Sequence, residues 1–133
     1  YKASGFSNIS VNYFGFFMVK NYNASVVYFL MLREMELTKD NFAAETASNM
    51  ILVDFWAEWC GPCQGMMPVL AEFEKTTGVT VGKVNVDNEP DLSAEYRVMS
   101  IPTLILFKDG KAVEQAIGSQ PLEKLQAMIE KHK

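Results

Sequence analysis

The chain has only two cysteines and one histidine among its 133 residues, and this scarcity excludes several classes of protein. A small secreted scaffold held together by disulfides carries more cysteines at wider spacing. A structural zinc site needs four ligands, whereas the single histidine, His132, lies near the C-terminus and there is no second cysteine pair. We therefore expect no metal site, and the pair Cys60 and Cys63 needs another chemical explanation.

Excess basic charge and long apolar runs are also lacking. Twelve Lys and Arg against sixteen Asp and Glu give a net charge of −4, so no basic field would attract nucleic acid. The longest apolar stretch, residues 24–32, falls far short of the roughly 20 residues that a membrane-spanning helix needs. We expect neither nucleic-acid binding nor a membrane span.

The first part of the chain differs in composition from the rest. Residues 1–33 are rich in aromatics and carry a charge of +3, whereas residues 34–133 carry −7. We predict one domain at residues 35–133, preceded by an N-terminal extension, residues 1–34, of unknown role. Three interpretations of the extension stay open: a β-hairpin of residues 10–20 and 25–32 that pairs with a sheet edge or forms a homodimer through residues 1–33, an export signal, or an over-extended reading frame.

From Met35 onward, apolar periodicity predicts alternating strands and helices. The predicted strands are residues 35–37 (weak), 50–56, 79–86, 103–107 and 113–117, and the predicted helices are residues 38–47, 63–76, 91–96 and 121–131. This order predicts an α/β fold with a mixed sheet, which begins with a βαβ unit, ends with an antiparallel hairpin and carries helices on both faces.

The spacing and position of the two cysteines predict redox chemistry. Cys60 directly follows the apolar strand and opens the next helix, where unpaired N–H groups and the helix dipole favour a thiolate. We expect Cys60 to attack a disulfide and Cys63, one helical turn deeper, to resolve the mixed disulfide. Gly61 and Pro62 set the stiffness of the small ring, and a proline early in the helix removes no helical hydrogen bond.

Two further residues, Asp54 and Pro102, occupy unusual positions in the sequence. Asp54 lies inside the apolar run of residues 51–56, where a buried carboxyl would hold its proton and could exchange it with the deeper thiol. The alternative, a carboxylate that reaches solvent at a strand end, is equally consistent with the residues alone. Pro102 follows Ile101 just before a predicted strand, and general frequencies favour a trans bond there.

The segment from Leu52 to Cys63, Leu-Val-Asp-Phe-Trp-Ala-Glu-Trp-Cys-Gly-Pro-Cys, closely resembles the active-site segment of the thioredoxin family. The likeness continues through Pro68, residues 84–87, residues 101–104, residues 107–110 and Gly118, and covers residues 35–133. The resemblance implies a thioredoxin fold with a mixed sheet of four or five strands flanked by helices.

The same resemblance implies roles for individual residues. Cys60 would be the nucleophile and Cys63 the resolving thiol, with Asp54 as the buried acid that Lys83 approaches. Pro102 would follow a cis bond and face the cysteines. The implied substrate-binding surface comprises Trp59, Gly61, Pro62, Ile101, Pro102 and Gly118.

The function implied is a general protein-disulfide reductase in the cytoplasm. It would act on disulfide-bearing proteins, contain no cofactor beyond the Cys60–Cys63 disulfide, and receive electrons from a nicotinamide-dependent thioredoxin reductase. Two alternatives stay open: an oxidase or isomerase in an oxidising compartment, and a non-catalytic docking subunit. Departures from the family pattern at Gln64, Gly65, Met99 and Ser100 bear on partner choice and redox potential.

Overall fold

The structure is a computed structural model, and it describes residues 35–133. The proposed N-terminal hairpin of residues 10–20 and 25–32 lies outside the described residues. The elements, in chain order, are α1 (Phe42–Thr46), β1 (Met50–Trp56), α2 (Gly61–Thr77), β2 (Thr80–Asn85), α3 (Pro90–Glu95), β3 (Thr103–Lys108), β4 (Lys111–Ile117) and α4 (Leu122–His132).

These elements form one mixed four-stranded sheet in the order β2-β1-β3-β4. β1 runs parallel to β2 and antiparallel to β3, and β3 and β4 form an antiparallel pair. The predicted weak strand at residues 35–37 is reduced to a single parallel bridge between Glu36 and Lys83 at the outer edge of β2. The predicted thioredoxin fold, with its parallel βαβ unit and later hairpin, is confirmed.

Two helix starts differ from the sequence-based prediction by two residues or more, and the other helix ends agree to within one residue. The predicted helix at residues 38–47 begins only at Phe42; residues 39–41 before it form a turn, in which the backbone N–H of Thr38 donates to Oδ1 of Asn41 at 2.7 Å. α2 begins at Gly61, two residues before the predicted start at Cys63.

Strand β1 is buried on both faces because helices cover both sides of the sheet. Its successive residues Leu52 and Val53 point to opposite faces, belong to two separate apolar clusters and are fully buried. Leu52 packs in the cluster that includes Leu70 of α2 and Leu125 of α4. A strand that is buried on both faces has a nearly continuous apolar sequence, and this pattern predicted β1.

No helix within residues 35–133 combines the length and the apolar character that crossing a membrane would require.

A close approach between β2 and the segment before α1 depends on a glycine. A Cβ atom built on Gly82 would lie 2.5 Å from Cδ1 and 3.0 Å from Cγ of Leu37. Leu37 is fully buried, so its side chain has no free space into which it could move.

Gly82→Ala should therefore destabilise the protein by about 1–3 kcal/mol through overpacking. The measurement is the free energy of unfolding in urea. Gly65→Ala is the matched control, because a Cβ there meets nothing within 4 Å and alanine is favoured over glycine in a helix by about 1 kcal/mol. Equal destabilisation by both variants would contradict this account.

Candidate active site

Cys60 occupies the N-cap of α2, in the short connection that follows β1. Its backbone is extended, with φ −90° and ψ 108°, and its Sγ accepts the backbone N–H of Cys63 at 3.2 Å. Pro62 lies in the first turn, where a missing N–H removes no helical hydrogen bond. The sulfur of Cys60 thus lies at the positive end of a 17-residue helix and accepts one of its free N–H groups.

The two cysteines are disulfide-bonded, and both are almost completely buried. Cys60 is 4% exposed and Cys63 is 3% exposed, so in this oxidised state burial does not distinguish the expected attacking sulfur from the resolving one. Gly61 and Pro62, between them, are exposed. What distinguishes the sulfurs is position in the helix: Cys60 caps it, and Cys63 lies one turn inside.

The loop before β3 borders the cysteine pair. The Ile101–Pro102 peptide bond is cis, as the resemblance implied and contrary to the expectation from general frequencies. The carbonyl oxygen of Ile101 lies 3.8 Å from Sγ of Cys60. Gly118 adopts a left-handed φ of 87° and donates its N–H to the carbonyl oxygen of Pro102 at 2.8 Å. The fold thus brings Ile101, Pro102 and Gly118 together beside Cys60.

Asp54 lies in the middle of β1 and is only 1% exposed, so the hypothesis that it reaches solvent is wrong. Its Oδ1 has no hydrogen-bond partner among the described residues. Burial raises the pKa of Asp54 to about 7, and the charge of Lys83 opposes this rise. The carboxyl group is therefore positioned to gain or lose a proton near neutral pH.

Lys83 neighbours Asp54 across the β1–β2 pair and is also buried, at 8% exposure. Its Nζ lies 4.2 Å from the ring centroid of Trp56, within the range of a cation–π interaction. Burial lowers the pKa of Lys83, whereas the charges of Asp54 and Glu36 raise it. It is therefore no ordinary surface lysine.

Alternation along β1 places Asp54 beneath the helix that carries the cysteines. Leu52, two residues earlier, belongs to the apolar cluster that includes Met66 and Leu70 of α2. Because side chains two residues apart on a strand share a face, Asp54 points to the side of the sheet covered by α2, which carries Cys63.

Three exposed apolar side chains lie one or two residues in sequence from Cys60, Ile101 or Gly118. Trp59 is 70% exposed, and its indole N–H donates to Oδ2 of Asp87 at 2.9 Å. Met99 and Ile117, which the sequence analysis did not assign to the substrate-binding surface, are 92% and 62% exposed. The signal that could have found them is an apolar residue directly beside the loop and strand end formed by Ile101 and Gly118.

Comparisons with known proteins agree on one family. The sequence model described as Thioredoxin matches residues 33–131. A thioredoxin from Alicyclobacillus acidocaldarius is 52% identical over 98 residues, which cover 71% of this chain and 93% of that protein. A thioredoxin from Bacillus subtilis is 43% identical over 100 residues, which cover 74% of this chain and 96% of that protein.

The fold is likewise similar to solved structures. The structure of a mutant thioredoxin from Halobacterium salinarum superimposes with a TM-score of 0.70 at 35% identity, covering 73% of this chain and 88% of that one.

Asp54→Asn should stabilise the folded protein at neutral pH. Below pH about 4 the carboxyl is protonated in both states; between 3.8 and about 7 only the unfolded state loses its proton, so stability falls as pH rises. The loss in the free energy of unfolding caused by the buried Asp54 therefore grows from pH 3.8 to about 7 and is constant above that pH. It reaches about 4 kcal/mol in total, at ~1.4 kcal/mol per pH unit.

The measurement is urea unfolding of both proteins from pH 4 to pH 8, with the exposed Asp40→Asn as the control. The stability difference between Asp54→Asn and the native chain should widen as pH rises. A difference independent of pH would contradict the burial argument.

Proposed function

The chain belongs to the thioredoxin family and is a thioredoxin-like disulfide reductase with a Cys60–Cys63 redox pair, and we propose the following course for its reaction. The thiolate of Cys60 attacks one sulfur of a substrate disulfide, forming a mixed disulfide and releasing the other substrate sulfur as a thiolate. The thiolate of Cys63 then attacks Sγ of Cys60, which breaks the mixed disulfide and releases the second substrate sulfur. Two electrons pass to the substrate, and Cys60–Cys63 becomes the disulfide.

The observation that carries this proposal is the cap contact between the two cysteines. In the reduced protein the N–H of Cys63 and the N-terminal end of α2 would stabilise negative charge on Cys60 more than on Cys63, because only Cys60 occupies the cap. This supports Cys60 as the nucleophile and Cys63 as the resolving residue.

Asp54 and Lys83 supply the proton chemistry in this proposal. Cys63 needs to lose its proton before it can attack, and it lies inside a helix in an almost fully buried position. A buried carboxyl with a pKa of about 7, on the side of the sheet covered by that helix, suits a proton acceptor at neutral pH. Lys83 would modulate the acid through its charge.

The substrate would bind over the exposed surface beside the cysteines. We assign to this surface the residues that the resemblance implied and add Met99 and Ile117 because of their exposure. The assigned members are Trp59, Gly61, Pro62, Met99, Ile101, Pro102, Ile117 and Gly118. An extended substrate segment could pair with the backbone of Ile101, whose carbonyl already borders Sγ of Cys60.

Partners and location complete the proposal. Each turnover leaves the pair oxidised, so a reductant is needed, and we propose a nicotinamide-dependent thioredoxin reductase as the electron donor. Disulfide-bearing proteins would be the substrates and the cytoplasm the compartment. The reaction is assigned to a domain of residues 35–133, with residues 1–34 as an N-terminal extension of unknown role.

Cys60→Ser should abolish turnover, and Cys63→Ser should stop the reaction at the mixed disulfide. The measurement is reduction of insulin disulfides with dithiothreitol as electron donor, together with non-reducing electrophoresis for trapped adducts. Cys63→Ser should accumulate covalent adducts that Cys60→Ser does not form. Undiminished turnover by Cys60→Ser would refute the proposed mechanism and favour a docking role.

Ile117→Ser should lower kcat/KM for a protein disulfide by about tenfold, because ~1.4 kcal/mol of apolar contact with the substrate is lost. Reduction of a small aromatic disulfide should change little. Val113→Ser is the matched control, since Val113 is an exposed apolar residue on the same strand, four residues further from Gly118. Equal losses in both variants would remove Ile117 from the binding surface.

A further inference from the structure

Lys83 lies at the centre of a row of charged residues that crosses three neighbouring strand segments. On one side it pairs with Asp54 of β1, and on the other it forms the parallel bridge with Glu36. The bridge is fixed by two backbone hydrogen bonds, Leu37 N–H to the Lys83 carbonyl at 2.8 Å and Lys83 N–H to the Met35 carbonyl at 2.9 Å. Paired residues of parallel strands project to one face, so the three side chains form an acid–base–acid row.

Exposure increases along this row from the core to solvent. Asp54 is 1% exposed, Lys83 is 8% exposed, and Glu36 is exposed. The ammonium of Lys83 lies over the ring of Trp56, and within residues 35–133 no ion pair shorter than 4.0 Å joins it to either carboxylate. Lys83 is thus placed between two acids in the row and forms a close ion pair with neither of them.

Few other charges face this row. Beyond Asp54 it continues into Leu104 and Ala116, which are apolar. From α2, the carboxylate of Glu74 approaches β2 at its beginning, where it accepts the N–H of Val81 at 2.8 Å. The cysteines at the start of α2 are disulfide-bonded and carry no charge. Glu36 is therefore the acid placed to compete directly with Asp54 for Lys83.

We propose that Glu36 is a positioning residue for Asp54, because its carboxylate shares the ammonium of Lys83 and so leaves the buried acid without a cation of its own. The inference rests on the proposed function in one respect, the role of Asp54 as proton acceptor for Cys63. Glu36 touches neither the cysteines nor the substrate surface, and it acts through Lys83.

The direction of the effect follows from electrostatics. Without the charge of Glu36, the ammonium of Lys83 is attracted by Asp54 alone. This change favours the ionised form of Asp54. The acid would then hold its proton less firmly at neutral pH and would be a weaker base toward the thiol of Cys63.

The test is a carbon-detected NMR titration of the Asp54 carboxyl group in the oxidised full-length chain. The ionised fraction of Asp54 at pH 7, about half for a pKa of about 7, should rise toward completion in Glu36→Gln, an increase of up to about twofold. Glu36→Asp, which keeps the charge, should retain most of the native behaviour. Glu45→Gln, an exposed carboxylate of α1, should leave the titration unchanged and serves as the matched control.

The proposed effect of Glu36 on the ionisation of Asp54 requires the ammonium of Lys83. In a Lys83→Met background, Glu36→Gln should no longer change the ionised fraction of Asp54. An unchanged titration in Glu36→Gln, or a shift of equal size in the Lys83→Met background, would overturn the proposal.

The kinetic readout is the pH profile of mixed-disulfide release in single turnover. Its acidic limb should move to lower pH in Glu36→Gln together with the titration, and a titration shift without this movement would overturn the role of Glu36 in the reaction. If no variant, nor the native chain, reduced insulin disulfides, the proposed function would fail, while the NMR titration would still decide whether Glu36 controls Asp54.

Discussion

The hydrogen bond from the backbone N–H of Cys63 to the sulfur of Cys60, at 3.2 Å, joins the redox chemistry to the fold. It requires Cys60 to be the last non-helical residue before α2, and this in turn requires β1 to end at Trp56 and deliver the chain to that point. β1 can do so because it is buried on both faces and paired on both edges, so its position is fixed from four directions. The loop with Ile101 and Pro102 completes the site because β3 pairs with β1 and brings that loop to the same end of the sheet.

The burial of β1, which holds the site in place, also destabilises the folded state through Asp54. Asp54 is held in a strand that is buried on both faces, with one carboxyl oxygen unpaired among the described residues. A buried acid without a close partner lowers the stability of the folded state at neutral pH, since the unfolded chain ionises freely. The partly compensating cation, Lys83, is itself buried and held over Trp56. Such a group is expected where reactivity, and not stability, determines which residue occupies a position.

Much of this architecture could be predicted from the sequence, because its signals are local. The apolar run of residues 50–56 and the cysteine at its end predicted the central strand and the helix start to within two residues. The cis bond at Pro102 could not be derived from the residues alone, because general frequencies favour the trans isomer before proline. The burial of Lys83 was equally hidden, since a lysine in an alternating strand resembles a surface residue until the neighbours across β1 are known. The bridge between Glu36 and Lys83 joins segments more than forty residues apart in sequence. The periodicity of apolar residues does not predict the register of such a pairing.

The central claim is that the Cys60–Cys63 pair acts as a reductant, and its reduction potential tests this most directly. The pair would be equilibrated with dithiothreitol buffers and followed by the fluorescence of Trp56 and Trp59. Trp59 directly precedes Cys60, and Trp56 is the last residue of β1. The account predicts a potential at or below the glutathione potential of the cytosol, about −220 mV or lower. A potential above about −200 mV, in the range of isomerases and oxidants, would contradict it.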